Sequence, residues 1–181
     1  MSYKNGKTTY VGPDAQIVLE AAEASTGIDR IEYKINGGSI TTYHSPIHML
    51  DSKMELKYRS LDKAGNIEES KSLFLVADTN PPAIKLGPHG DYVLKGNRIL
   101  AQTGFYIYID AKDVESGVEE VSVTMDGKNF EKTNERNIIF DKPGEFHFSV
   151  RVTDKIENLK ESNSYVVIIS DEGSKALLPD N

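Results

Sequence analysis

Ile31-Glu32-Tyr33-Lys34-Ile35-Asn36-Gly37 returns about ninety residues later as Val121-Ser122-Val123-Thr124-Met125-Asp126-Gly127. In both stretches the apolar residues occupy every second position, which sets them on one face of an extended strand and the polar residues on the other. Asn36-Gly37-Gly38 and Asp126-Gly127 then supply the positive φ that a tight hairpin turn demands. Neither stretch carries the 3.6-residue period of a helix.

The correspondence extends in both directions. Upstream, Ile17-Val18-Leu19-Glu20-Ala21-Ala22-Glu23 matches Ile107-Tyr108-Ile109-Asp110-Ala111-Lys112-Asp113, and Thr26-Gly27-Ile28 matches Ser116-Gly117-Val118. Downstream, Leu56, Tyr58, Ser60 and Asp62 match Phe148, Val150, Val152 and Asp154. The turn Asp62-Lys63-Ala64-Gly65-Asn66-Ile67 then matches Asp154-Lys155-Ile156-Glu157-Asn158-Leu159. Strand phase, hairpin turn and closing loop preserved together mark an internal duplication.

The alternation predicts that Ile17/Leu19/Ala21, Ile31/Tyr33/Ile35, Phe146/Phe148/Val150/Val152 and Val166/Ile168 face a core. Glu32/Lys34, Ser122/Thr124 and His147/Ser149/Arg151 are expected to face water. Short strands, frequent turns and no helical period predict an all-β chain of two tandem immunoglobulin-like Greek-key β-sandwich domains. Their expected bounds are 1–80 and 81–172, followed by a flexible tail, 173–181. Two prolines in the linker Asp78-Thr79-Asn80-Pro81-Pro82 fix φ and are expected to stiffen it.

Charge and composition remove several function classes. Lys+Arg 21 against Asp+Glu 28 gives a net charge of −7, without the basic footprint of a nucleic-acid binder. An acidic surface also disfavours docking on anionic lipid. With no cysteine, disulfides, thiolate zinc sites and cysteine nucleophiles are out. Tryptophan, the buried pin of antibody-type domains, is absent too. No run approaches the roughly 18 apolar residues of a spanning helix. The polar start, Met1-Ser2-Tyr3-Lys4-Asn5-Gly6-Lys7, is not that of a signal peptide, so an exported parent implies a mature fragment with an added Met. Outward Glu, Lys, Arg and Thr on short strands disfavour a membrane β-barrel.

Gly27-Ile28, Ile31 to Gly38, Tyr43-His44-Ser45-Pro46-Ile47 and Tyr58 to Glu68 resemble bacterial immunoglobulin-like repeats. The resemblance is to the type found in spirochaete outer-surface proteins, large adhesins and secreted enzymes. It covers most of the chain, and the first repeat fits over roughly residues 8–78. The second departs: it has no Tyr-x-x-Pro segment, and Ile156-Glu157 replaces Ala64-Gly65. The resemblance implies export to the cell surface, neighbouring repeats in a longer chain and an architectural or adhesive role. It carries over no catalytic residue.

Candidate chemistry is correspondingly sparse. His44 and His48 are four apart, but Pro46 denies them a helix, and His89 and His147 stand alone. No Gly-x-Ser-x-Gly elbow and no Gly-rich phosphate loop occurs. In an immunoglobulin topology the second repeat's acidic loops meet at the pole facing the linker. They offer Asp110, Asp113, Glu115 and Glu119 from one loop and Asp154, Glu157 and Asn158 from another, with Asp78 of the linker able to join them. Calcium, which takes six to eight oxygens, is the cation such a junction would hold. The competing expectation is that these are solvated loop acids, with Asp62 and Asp154 accepting backbone N–H bonds in Asx-type turns. Tyr106 and Tyr108, on the face opposite the core, are the candidate contacts for a protein or glycan ligand, set against ordinary packing on a solvated sheet.

Overall fold

The computed structural model describes residues 1–22 and 25–171. Glu23 and the expected tail, 173–181, lie outside the described residues. Strands and turns make up the described chain, which divides into two compact units, Met1–Asn80 and a second beginning at Pro81.

In the first unit the strands are β1 (Ser2–Asn5), β2 (Thr8–Val11), β3 (Gln16–Ile17), β4 (Ile28–Ile35), β5 (Thr41–Thr42), β6 (Ile47–His48), β7 (Lys53–Asp62) and β8 (Lys71–Ala77). One sheet has the order β1-β2-β8-β7-β4-β5, and β3 pairs with β6 in the other. Strands β3, β4, β5, β6, β7 and β8 thus stand as B, C, C′, E, F and G of the immunoglobulin topology. The neighbours in these sheets are antiparallel except one pair: β2 runs parallel to β8, with Thr8 opposite Phe74 and Val11 opposite Ala77. Between the sheets lie Val11, Leu19, Ile47, Met54, Leu56 and Leu75.

The second unit repeats this plan, with a longer strand B, Phe105–Lys112. Its strands are β9 (Ala83–His89), β10 (Tyr92–Lys95), β11 (Arg98–Gln102), β12 (Phe105–Lys112), β13 (Val118–Thr124), β14 (Glu131–Lys132), β15 (Asn137–Phe140), β16 (Gly144–Asp154), β17 (Leu159–Glu161) and β18 (Tyr165–Ser170). Its sheets are β10-β11-β18-β16-β13-β14, with β17 beside β16, and β15-β12-β9. Again a strand near the start, β11, runs parallel to the last, β18. Phe105, Ile107, Ile109, Phe140, Phe148, Val150, Val152 and Val167 fill the core. Phe140 packs edge-on against Phe146 and Phe148, with ring centres 5.3 and 5.8 Å away. Each unit is an immunoglobulin-like sandwich.

The duplication reaches into the irregularities. A register shift between Ile28 and Arg30 recurs between Val118 and Glu120. Lys63 N–H donates to Gly27 O at 3.0 Å, and Lys155 N–H to Gly117 O at 3.1 Å. Asn36 (φ 49) and Gly37 (φ 74) both take positive φ, with Gly38 N–H on Ile35 O at 2.8 Å, as a type I′ turn requires. The counterpart turn differs: only Gly127 is left-handed (φ 75), while the Asp126 carboxylate accepts Lys128 and Asn129 N–H at 2.8 Å.

Two sequence expectations are corrected. In β18 the core residues are Val167 and Ile169, not Val166 and Ile168. Pairing sets this phase, because Val167 sits opposite both Phe146 and Ile99. Ser122, Thr124 and Ser149 point away from the core as expected but are buried. On this face Thr124 hydroxyl bonds Asp126 at 2.9 Å, and Arg151 lies 3.8 Å above the Phe130 ring. His147 is half exposed, as its phase predicts.

Candidate functional site

In each unit a polar constellation closes the loop after strand F. At the end of β7, Asp62 Oδ1 accepts Ala64 and Asn66 N–H (3.0 and 2.8 Å), and Oδ2 accepts Thr26 hydroxyl and Asn66 Nδ2 (2.6 and 2.8 Å). The bond from Thr26, then that from Asn66, holds this carboxyl at about 2, because each donor favours the ionised form. At the end of β16, Asp154 Oδ1 accepts Ile156 and Asn158 N–H (2.9 and 2.8 Å), and Oδ2 accepts Asn158 Nδ2 (2.8 Å). Asp62 is half-buried, whereas Asp154 is only 1% exposed. Where the first turn places Gly65 (φ 87), the second places Glu157 at φ 74.

Of the residues expected to hold calcium, Asp113 and Asp154 come together, each offering a carboxylate oxygen within 4.8 Å of the other. Asp113 Oδ1 also accepts Glu115 and Gly117 N–H at 3.1 and 2.7 Å, which shapes its own loop. Asp110 is ion-paired with Lys112 at 3.0 Å, and Glu157 is exposed. Glu115 is half-buried, and Asn158 serves Asp154. Asp78 belongs to the first unit, where its N–H donates to Val11 O (3.0 Å) and its carboxylate accepts Asn80 N–H (3.1 Å). The donor set is of the hard oxygen type that suits calcium, though part of its lone-pair capacity is committed to backbone N–H groups.

Tyr106 and Tyr108 lie on the outer face of the β15-β12-β9 sheet. Tyr106 stacks on His89, with ring centres 4.8 Å apart and planes at 11°. Tyr108 sits opposite Gly87, so its neighbour on β9 has no side chain. The sequence named His89 but did not link it to Tyr106; the register of β9 on β12 makes that link. His48 pairs with Gln16 at a strand edge, and the other face of the first unit carries Glu32 between Arg59 and Arg30 (both 2.9 Å). Arg59 first, then Arg30, lowers the Glu32 pKa.

A cleft of about 270 Å³ in the second unit escaped the sequence reading. Ile109, Ala111, Val118 and Val121 form its apolar wall, and Thr133, Asn134, Glu135 and Arg136 its polar lip. The one signal for it was the missing Tyr-x-x-Pro segment.

No protein-family model matches the chain. No curated protein sequence matches it either. Among solved structures, fibronectin(III)-like modules of Clostridium thermocellum CbhA are similar at a TM-score of 0.49 and 14% identity, over 97% of this chain and 94% of theirs. The D00-D0 domain of intimin is similar at a TM-score of 0.33 and 15% identity, over 88% of this chain and 94% of its own. Strand order, rather than these likenesses, fixes the fold.

Proposed function

We propose that the chain is a non-catalytic, load-bearing segment of an exported bacterial surface protein, a stalk or adhesive repeat. The observation that supports this is the parallel pairing of an early strand with the last strand in each unit, β2 with β8 and β11 with β18. Tension applied through the ends pulls two parallel neighbours in opposite directions. Their bonds are then loaded together in shear, whereas an antiparallel hairpin pulled from its open end loses them one at a time. The polar clusters of both units serve the same end, since Asp62 and Asp154 lock the loop that leads into the last strand.

Single-molecule pulling through the two ends tests this. Two high-force steps are expected, each releasing on the order of 25 nm at about 3.5 Å per residue. The control pulls the first unit between positions 53 and 76, where β7 and β8 peel apart. Equal forces in the two geometries would overturn the mechanical reading.

Two further proposals rest on particular residues. Calcium is the ion proposed for Asp113 and Asp154. The Tyr106–His89 stack beside Tyr108 favours a second reading, an accessory glycan-binding module of a secreted polysaccharide-active enzyme. A glycan array probed with the chain and with Tyr106→Ala distinguishes that reading from a pure spacer.

A further inference from the structure

The two repeats differ at one position beside the core, Tyr43 in the first and Thr133 in the second. In the first unit Tyr43 N–H donates to Ile31 O at 2.8 Å; in the second, Thr133 N–H donates to Val121 O at 2.9 Å. Ile31 and Val121 are repeat equivalents, so Tyr43 and Thr133 leave the same point of the fold. Tyr43 turns inward: its ring meets Tyr33 edge-on, with centres 6.4 Å apart, and packs on the core cluster that contains Leu19. Thr133 is too small for this. The cleft of about 270 Å³ lies beside it, walled by Ile109, the equivalent of Leu19, and by Val118 and Val121. The point of the fold from which one repeat sends a phenol onto its core is bordered, in the other, by an open cleft.

We propose that this cleft receives an aromatic side chain, a tyrosine, presented by an extended segment of another polypeptide. The occupant is defined by the sister repeat: a phenol on an extended backbone, apolar body inward and hydroxyl at the lip. Asn134, Glu135 and Arg136 stand there to bond the hydroxyl, as a buried tyrosine requires. Charge narrows the partner. Lys132 is bound to Glu120 at 2.5 Å, and Glu119 and Glu135 line the cleft with a single cation, Arg136. The rim is therefore negative, and a basic residue beside the tyrosine is favoured. One deeply seated aromatic within a polar rim is the arrangement that concentrates binding energy at protein interfaces. The cleft is there whether or not the chain bears load.

The test is an NMR titration of the whole chain with p-cresol, the tyrosine side chain as a free molecule, and with the capped peptides Lys-Tyr-Lys and Glu-Tyr-Glu. Saturable shifts at Ala111, Val118 and Val121 are expected, with several-fold tighter binding of the lysine peptide. Thr133→Tyr is expected to abolish them by filling the cleft from within. Thr133→Val is the reference, since it loses the hydroxyl that accepts Glu135 N–H (3.0 Å) but keeps the space. Against it, Thr133→Tyr is expected to melt about 4 °C higher. The absence of saturable shifts, shifts that persist in Thr133→Tyr, or a Thr133→Tyr that melts below Thr133→Val would each overturn the proposal.

Discussion

Asn158 holds the Asp154 carboxylate with its backbone N–H and its side-chain amide, both at 2.8 Å. Asn66 holds Asp62 in the same way, at 2.8 and 2.8 Å. The chemistry is shared but the surroundings are not, because Asp154 is shut away from water and Asp62 is only half-buried. Truncating Asp154 strands three donors that water reaches poorly, so Asp154→Ala is expected to cost about 3 kcal/mol. Asp62→Ala should cost less than half of that, because water replaces the lost acceptor. Hydrogen exchange in urea, read separately at β16 and β7, measures both. Equal costs would mean that burial is not what sets the strength of this turn.

Glu157 occupies the left-handed region at φ 74, where the sister turn has Gly65 at φ 87. A non-glycine residue there carries about 1–2 kcal/mol of strain, partly offset by the extra freedom glycine gives the unfolded chain. Glu157→Gly is therefore expected to stabilise the second unit by about 0.5–1 kcal/mol. Gly65→Ala should destabilise the first by a similar amount, and purely conformationally, since nothing lies within 4 Å of the added Cβ. Denaturation midpoints that move the other way would refute the strain argument.

The Asp62 carboxyl titrates at about 2 in the folded chain, below the 3.8 of a free aspartate. A depressed pKa contributes stability that is fully present above the unfolded value and disappears as pH falls through the folded one. The first unit is accordingly expected to lose stability between about pH 4 and pH 2. Asp62→Asn, already uncharged and left with one accepting oxygen for donors that now use two, should be weaker at neutral pH and flatter across that window. Urea midpoints at several pH values check this. An unchanged slope in the variant would assign the acid loss to other carboxylates.

Calcium at the affinity of extracellular modules, a Kd near about 1 mM, would stabilise the second unit by about 1 kcal/mol at about 5 mM ion. Asp113→Asn removes a donor and should remove that increment. Melting curves in calcium against chelator decide the matter. Identical curves leave Asp113 a loop-shaping acceptor only.

Much of this architecture was written in the alternation of Ile31 to Ile35 and its copy at Val121 to Met125, because a half-buried sheet needs that pattern. Other features were invisible for definite reasons. Val166-Val167-Ile168-Ile169 is apolar in both phases, so only pairing with Phe146 and Ile99 could choose the inward one. Ser122, Thr124 and Ser149 have the polarity of an exposed face, yet all three are buried, which alternation alone does not announce. The parallel pairing of β2 with β8 joins segments some sixty residues apart with no hairpin turn to announce it. At the site, Asp113 and Asp154 could be placed on neighbouring loops, but their proximity depended on strand ends whose register sequence does not state. The cleft depended on a missing tyrosine, which marks an unfilled position without giving its volume.

The partnership of β2 with β8 also governs when the first unit can exist. A chain that emerges from a ribosome or an export channel with its N-terminus leading offers Thr8–Val11 early, but their neighbour Phe74–Ala77 appears last. Until Ala77 is clear, Thr8–Val11 has β1 as a hairpin partner but lacks β8, which joins it to the rest of the sheet. Completion of the first sandwich therefore waits on the emergence of its last strand.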